Sequence, residues 1–147
     1  MRKGWMGKIT YSADETISLG KSFASYLQPG DIIALKGSLA GGKTTFVKGI
    51  ASEMGCVEEV TSPTFTLVNE YQCNPLIIHI DCYRESNLER WIQLGIGEYF
   101  NSESIVLIEW SEMISELLPP EVLTLKFEHL GENQRSIMLD INKESIR

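Results

Sequence analysis

Short apolar runs alternate with amphipathic stretches along this chain, and the alternation predicts strands and helices in turn. An apolar run at 32–35 precedes a stretch, 43–54, whose apolar residues recur at helical spacing. A further apolar run at 76–80 and another at 104–108, closed by Glu109, predict two more buried strands. Together these elements predict an α/β fold in which a mostly parallel central sheet is flanked by helices.

Two capping boxes, in which a serine is followed three residues later by a glutamate, mark the starts of further helices. Ser12 and Glu15 form the first box, and the helix that it opens is predicted to reach about Leu27. Ser86 and Glu89 form the second box, which predicts a helix between the two later strands.

The C-terminal part of the chain predicts an antiparallel β-hairpin. Two adjacent prolines end a helix that begins near Ser111. Runs with strand character at 122–127 and 135–141 then flank a turn at 131–134. The hairpin adds antiparallel strands to the predicted parallel sheet.

Length and charge narrow the possible functions. With 147 residues the chain is most simply a single domain, large enough to bury a real core. The formal net charge of -7 and the pI near 4.9 are unlike those of proteins that grip nucleic acid through a basic patch. Any role in RNA or DNA metabolism is therefore expected to depend on a partner.

The sequence also bears on location and on cysteine chemistry. No apolar run approaches the roughly 20 residues of a membrane span, and the first residues lack the apolar region of a signal peptide, so we expect a cytoplasmic protein. The three cysteines, Cys56, Cys73 and Cys82, form no C-x-x-C pair. Their odd number and spacing predict reduced thiols rather than a disulfide framework or a zinc site.

A phosphate-binding pattern lies between the first apolar run and the helix that follows it. Residues 37–44 fit G-x-x-x-x-G-K-S/T in the required strand-then-helix context. Backbone amides of a tightly curled loop, together with the helix N-terminus, would surround a polyphosphate. Lys43 would reach the β- and γ-phosphates, and the Thr44 hydroxyl would bind Mg²⁺. The predicted nucleotide contacts in this stretch are Gly37, Ser38, Leu39, Ala40, Gly41, Gly42, Lys43, Thr44 and Thr45.

Simpler interpretations of these residues remain open. The glycine-rich stretch could be an ordinary turn between a buried strand and a helix, with the Lys43 side chain in solvent. Thr16, in the first turn of the first helix, could contact a nucleotide base, although a plain helix-start role is favoured by the sequence alone.

A segment rich in hydroxyl side chains follows the phosphate-loop helix. Ser62 and Thr64 lie on either side of Pro63, ahead of a β-prone run at 65–71. In nucleotide switches a serine or threonine at this point contacts Mg²⁺ or the γ-phosphate, so both residues are switch candidates. The alternative is a rigid proline turn that starts an ordinary strand.

Two acidic residues end buried apolar runs. Asp81 closes the run at 76–80, and Glu109 closes the run at 104–108 in the Walker B manner. Ligands of open α/β sheets bind beyond the carboxyl ends of the strands, so both carboxylates are candidates for Mg²⁺ binding or for orienting water. Glu109 could instead cap the helix near Ser111. His79 shares a strand face with Asp81, but a hydrogen-bonded core histidine is the more common finding.

Five separated motifs, GSLAGGKTT, TSPTFTLVNEY, HIDCYR, LGIGEYF and VLIEW, resemble those of the TsaE (YjeE) family. The resemblance implies one P-loop ATPase domain over residues 1–147 that hydrolyses ATP with Mg²⁺. It also implies a TsaB–TsaD partner complex, which places threonylcarbamoyl on adenosine 37 of tRNA and which the ATPase resets between turnovers. The tRNA would then be contacted only through the partners, in agreement with the acidic composition.

When the family's functional residues are matched motif by motif, the resemblance implies that Lys43 is the phosphate ligand. It implies that the candidate metal ligands are Thr44, Asp81 and Glu109. It also implies that Ser62 and Thr64 belong to the switch segment. The loop departs from the family pattern, since Ser38-Leu-Ala-Gly stands where Asp-Leu-Gly-Ala is usual. A serine, Ser111, also stands where proline commonly follows Glu-Trp.

Two rival functions remain. A small-molecule kinase usually screens the transferring phosphoryl group with several arginines, whereas arginine is sparse here and two of its positions are near the chain ends. A nucleotide-sensing scaffold without appreciable hydrolysis would differ mainly in turnover when partners are present.

Overall fold

A computed structural model describes residues 5–37, 42–63 and 66–140. The strands are β1 (Gly7–Thr10), β2 (Ile32–Gly37), β3 (Val68–Tyr71), β4 (Ile77–Asp81), β5 (Ile105–Glu109), β6 (Leu123–Gly131) and β7 (Gln134–Leu139). The helices are α1 (Ala13–Ala24), α2 (Lys43–Glu53), α3 (Leu88–Gln93) and α4 (Ile96–Tyr99), with a 3-10 helix at Ser111–Leu117.

The strands form one seven-stranded mixed sheet in the order β1-β7-β6-β2-β5-β4-β3. The four central neighbours β6, β2, β5 and β4 run parallel, and antiparallel strands lie at both edges. The predicted α/β class is therefore confirmed. The predicted hairpin is part of the main sheet, because β6 pairs with β2, and β1, which the apolar pattern did not predict, pairs with β7.

Both faces of the central strands are buried, which is why these strands appear in the sequence as unbroken apolar runs. On one face Leu107 of β5 belongs to a buried cluster with Phe46 of α2. On the other face its neighbour Ile108 belongs to a second cluster with Trp91 of α3. The sheet is thus covered by helices on both sides, and the carboxyl ends of β2, β4 and β5 lie at one edge of this layered core.

Several predicted boundaries need correction. The first capping box forms as expected, with Ser12 Oγ accepting from the Glu15 amide at 3.1 Å, but α1 ends at Ala24 rather than Leu27. The helix predicted from the second capping box is α3. It is capped by Asn87, whose side chain accepts from the Glu89 amide at 2.9 Å, and not by Ser86. An asparagine caps a helix as well as a serine does, so the box one residue earlier was misleading.

The strand predicted at 65–71 is shorter than expected. Phe65 lies outside the described residues; in the described part of the run, 66–71, only Val68–Tyr71 pairs with β4, and Leu67 has a φ of 70°, in the left-handed region. A residue in this conformation breaks the extended backbone, so the chain turns at this point before the strand begins. The helix predicted near Ser111 is a 3-10 helix with a non-helical residue, Ile114, inside it.

The prediction of three reduced cysteines is wrong for two of them. Cys56, just after α2, and Cys73, just after β3, form a disulfide, with their Cα atoms 4.4 Å apart. Cys82 is free and buried. Spacing along the chain could not reveal the pair, because the fold brings the end of α2 close to the end of β3, which joins residues 17 positions apart.

Among the described helices, none is long and apolar enough to cross a bilayer.

Helices α1 and α2 approach each other closely through two glycines. A Cβ added to Gly49 would collide with the backbone oxygen of Ile17, and one added to Gly20 would collide with that of Phe46. Neither obstacle is a flexible side chain that could move aside. This contact therefore sets the position of α2 against α1.

We predict that Gly49→Ala destabilises the protein by about 2 kcal/mol, because overpacking costs more than the gain in helix propensity. Thermal unfolding measures the effect as a fall of several degrees in Tm. Gly97→Ala is the matched control, since nothing lies within 4 Å of a Cβ at that position. An unchanged Tm for Gly49→Ala would contradict this account of the helix contact.

The thiols provide a second prediction. Burial and the nearby carboxylates of Asp81 and Glu112 raise the pKa of Cys82 to about 12, so this thiol stays protonated and unreactive at pH 8. Iodoacetamide should therefore leave the native, unreduced protein unlabelled. It should add one label after unfolding and three after unfolding with reduction, counted by mass spectrometry. Labelling of the native, unreduced protein would contradict the buried Cys82 or the Cys56–Cys73 bond.

Candidate functional site

The candidate site lies where β2 ends and α2 begins. Gly42 precedes the helix with a φ of 89°, a conformation that favours glycine, and it has no side chain to cap the first amides. Lys43 is the first residue of α2, and its ammonium donates a hydrogen bond to the carbonyl of Gly37 at 2.8 Å. The two ends of the glycine-rich loop are thus joined by the lysine side chain.

The Lys43 ammonium is buried, with 4% of the residue exposed, so it is not the solvated side chain of the simpler interpretation. Its Nζ lies 4.0 Å from Glu109 Oε1 and 5.5 Å from the centroid of the Trp110 ring. A buried cation requires compensation of this kind, because it has lost its hydration. The end of β5 supplies both compensating groups.

Both predicted acids are buried at the carboxyl ends of neighbouring parallel strands. Asp81 and Glu109 are paired directly across β4 and β5, so their side chains lie on the same face of the sheet. It is the face that packs against α2, since Leu107, two residues before Glu109, belongs to that cluster. One Asp81 oxygen accepts a hydrogen bond from the amide of Tyr83 at 2.8 Å.

Glu109 makes a second polar contact, with His79, for which the sequence favoured a hydrogen-bonded place in the core. Its Oε2 lies 2.7 Å from Nε2 of His79, a residue with no exposed surface. The alternative in which Glu109 caps the next helix is wrong, because Trp110 is the cap residue and no side chain caps that helix. Trp110 has a φ of 57° and its ring lies 4.8 Å from that of Tyr83, so two aromatic rings follow the two acids.

The remaining predicted residues have more varied positions. Thr44 and Thr45 are half-buried in the first turn of α2, and Ser62 is exposed in segment 60–63 between α2 and β3. Thr64 lies outside the described residues, as do the loop residues Ser38, Leu39, Ala40 and Gly41. The structure therefore brings together Gly37, Gly42, Lys43, Asp81 and Glu109.

A small cleft of about 90 Å³ adjoins the start of α2, and sequence reasoning missed most of it. It is lined by Ser12, Ala13, Thr16, Gly42, Thr45, Asn133 and Arg135. The Arg135 side chain lies 3.7 Å from where a Cβ on Gly42 would be. Thr16, one of the open alternatives, is buried here and its hydroxyl lies 2.7 Å from that of Thr10. No local motif marks Arg135, because the hairpin that carries it is distant in sequence.

The donor chemistry fits a magnesium ion. Thr44, Asp81 and Glu109 offer oxygen atoms, which are the ligands that Mg²⁺ prefers. Among the described residues no group of three or more His, Cys, Asp or Glu side chains could hold a metal by itself. Mg²⁺ at phosphate sites usually takes only one or two protein ligands and completes its shell with water and phosphate oxygens, so this finding is compatible with the fit.

The mixed sheet and the glycine-rich stretch between β2 and α2 place the chain among the α/β proteins with the P-loop fold. Comparison with known proteins identifies the family. The family model described as "Threonylcarbamoyl adenosine biosynthesis protein TsaE" matches residues 10–137. The chain belongs to the TsaE family of tRNA threonylcarbamoyladenosine biosynthesis proteins.

Individual relatives are similar to this chain over most of their length. The tRNA threonylcarbamoyladenosine biosynthesis protein TsaE of Bacillus subtilis is 39% identical over 129 residues, covering 87% of this chain and 80% of the relative. The TsaE protein of Treponema pallidum is 36% identical over 129 residues, covering 88% of this chain and 96% of the relative. The crystal structure of Bacillus subtilis YdiB superposes with a TM-score of 0.76 at 33% identity, covering 93% of this chain and 87% of that chain.

Proposed function

We propose that this protein binds ATP with Mg²⁺ and hydrolyses it as the nucleotide-driven component of the tRNA threonylcarbamoyladenosine machinery. The observation that carries the proposal is the position of the Lys43 ammonium, 4.0 Å from Glu109 at the strand ends, with Asp81 paired beside Glu109. A buried lysine at a helix start, opposite two buried carboxylates, suits a triphosphate bound with a divalent cation.

Phosphate binding would fall to the loop that runs from Gly37 to Gly42 and to Lys43. The backbone amides of such a loop and the positive end of α2 attract phosphate oxygens. On binding, the Lys43 ammonium would exchange its bond to the Gly37 carbonyl for the β- and γ-phosphates. Burial makes that exchange favourable, because a charged acceptor compensates a buried cation better than a neutral carbonyl does.

The acids would divide two tasks. Thr44 and one of the two acids, Asp81 or Glu109, would hold Mg²⁺, which supplies positive charge that stabilises the transferring phosphoryl group. The other carboxylate would orient the attacking water toward the γ-phosphate. The contact between Glu109 and Lys43 brings that acid next to the group expected to hold the γ-phosphate, so its loss should affect turnover more than binding.

The nucleoside would occupy the cleft beside α2. The cleft adjoins Gly42 and Thr45 at the phosphate end and extends to Thr16 and Arg135. A guanidinium can stack on a purine base or bind ribose and phosphate oxygens. The hairpin β6–β7 would thus take part in nucleotide binding.

The partners and the location follow from the family role. We propose that a TsaB–TsaD complex is the partner, that ATP hydrolysis resets this complex between turnovers, and that tRNA is contacted through it in the cytoplasm. The net charge of -7 supports the proposal, since an acidic protein suits a basic protein surface better than it suits RNA.

Two substitutions separate binding from turnover. We predict that Lys43→Ala abolishes ATP binding, because the phosphates lose their buried cation, whereas Glu109→Ala binds ATP but loses turnover. Isothermal titration with Mg²⁺·ATP measures the first effect and phosphate release the second. Retained binding in Lys43→Ala or wild-type hydrolysis in Glu109→Ala would refute the assigned roles.

The same assay tests the wider proposal. Phosphate release should be slow for the protein alone and should rise when a TsaB–TsaD complex is added. With γ-labelled ATP the label should pass to water, and its appearance in a metabolite would favour a kinase instead. If no phosphate is released in either condition, the protein would be a nucleotide-sensing scaffold without appreciable hydrolysis.

Titration of Asp81→Ala and Glu109→Ala with Mg²⁺ assigns the roles of the two acids. Only the variant that has lost a metal ligand should regain turnover at high Mg²⁺.

The nucleoside cleft provides a separate prediction. Arg135→Ala should weaken ATP binding by about tenfold, the loss expected for one hydrogen bond to a charged group, without weakening inorganic triphosphate. Arg90→Ala, an exposed arginine on α3, is the matched control. Equal weakening of ATP and triphosphate would place Arg135 at the phosphates rather than at the nucleoside.

A further inference from the structure

A buried row of polar side chains crosses three neighbouring strands behind the candidate site. Tyr71 of β3, His79 of β4 and Glu109 of β5 share the sheet face that packs against α2. The Tyr71 hydroxyl lies 3.3 Å from His79 Nδ1, and His79 Nε2 lies 2.7 Å from Glu109 Oε2. The row thus runs without a gap from β3 to the acid beside Lys43.

The outer end of the row holds the segment that contains Ser62. The Tyr71 hydroxyl donates to the Thr61 carbonyl at 2.9 Å, and the Thr61 amide donates to the same hydroxyl oxygen at 3.3 Å. Asn69, which also lies on β3, donates from Nδ2 to the Thr61 carbonyl at 3.1 Å. Thr61 is exposed, yet its backbone is held by side chains from β3.

A backbone path joins the same segment to the other acid. The Leu67 amide donates to the Pro63 carbonyl at 2.7 Å, and the Asp81 amide donates to the Leu67 carbonyl at 2.9 Å. Segment 60–63 is therefore connected to Glu109 through side chains and to Asp81 through the main chain. A displacement of this segment cannot leave both paths intact.

Burial makes each hydrogen bond of the side-chain path costly to break. Tyr71 is 3% exposed, His79 0% and Glu109 4%, so water cannot readily replace a broken hydrogen bond in the row. Glu109 also uses its two oxygens differently, since Oε2 faces His79 while Oε1 lies 4.0 Å from the Lys43 ammonium. The contact with His79 therefore fixes the rotation of the Glu109 carboxylate, which leaves its other oxygen facing Lys43.

We infer that His79 and Tyr71 are positioning residues that couple the placement of segment 60–63 to the orientation of the Glu109 carboxylate. The inference rests on the proposed ATP hydrolysis and deepens it. When segment 60–63 is held against Tyr71, Glu109 keeps the orientation seen here. When the segment moves, the row breaks, Glu109 rotates and hydrolysis slows, so the segment controls turnover rather than affinity.

Tyr71→Phe tests the coupling with the smallest change, because it removes only the hydroxyl that joins His79 to Thr61. We predict that kcat for ATP hydrolysis falls about tenfold or more, as is usual when a group that orients a catalytic ligand is removed, while the Kd for Mg²⁺·ATP changes less than about twofold. Tyr99→Phe, at a half-buried tyrosine on α4 outside the row, is the matched control and should leave kcat unchanged.

Two substitutions of His79 separate positioning from simple packing. Glutamine extends an amide far enough to replace the Nε2 contact with Glu109, so His79→Gln should retain more turnover than His79→Asn. In the His79→Gln background, Tyr71→Phe should have no further effect, because the row is already broken at that point. Additive effects in the double variant would show a merely structural role and would overturn the inference.

The outcomes also distinguish this inference from the proposed function. If the wild type, alone and with a TsaB–TsaD complex, releases no phosphate, the proposed function fails and the coupling falls with it. If the wild type hydrolyses ATP and Glu109→Ala does not, but Tyr71→Phe and His79→Asn hydrolyse at the wild-type rate, only the coupling is wrong. Thermal unfolding shows which variants fold, and Tyr71→Phe carries the test if the His79 variants do not.

Discussion

The burial of one ammonium group, that of Lys43, is the constraint on which the site depends. A buried cation costs several kcal/mol unless nearby groups compensate it. Here the compensation comes from the Gly37 carbonyl at the end of β2 and from Glu109 and Trp110 at the end of β5. The start of α2 and the ends of two strands must therefore lie close together, and the glycines at both ends of the loop allow the backbone to reach that arrangement.

Glu109 has competing demands on its two oxygens, and this competition links the site to the rest of the sheet. One oxygen faces Lys43 and the other is bound to His79, which in turn contacts Tyr71. These polar groups lie on the same sheet face as the apolar cluster that contains Leu107 and Phe46. A hydrophobic row would have been simpler to bury, whereas a polar row makes the orientation of the acid depend on the chain segment at its far end.

The parts of this structure that sequence could predict are those decided by local chemistry. The runs that form β2, β4 and β5 were evident because strands buried on both faces require continuous apolar residues. Helix α1 could be predicted to begin at its capping box because the hydrogen bonds of a cap join residues only three apart. Strand β1 and the end of α1 were missed, since the pairing of β1 with β7 and the packing of α1 on α2 are tertiary effects.

The sequence by itself determined the phosphate-loop pattern, the two acids at strand ends and the family motifs, because each is a short run of neighbouring residues. Tertiary structure alone decided that Glu109 contacts Lys43 and His79, that Arg135 reaches Gly42, and that Cys56 bonds to Cys73. The physical reason is that these contacts depend on strand order and on residues 17 to 93 positions apart along the chain, and no local pattern encodes which distant side chains the sheet brings together.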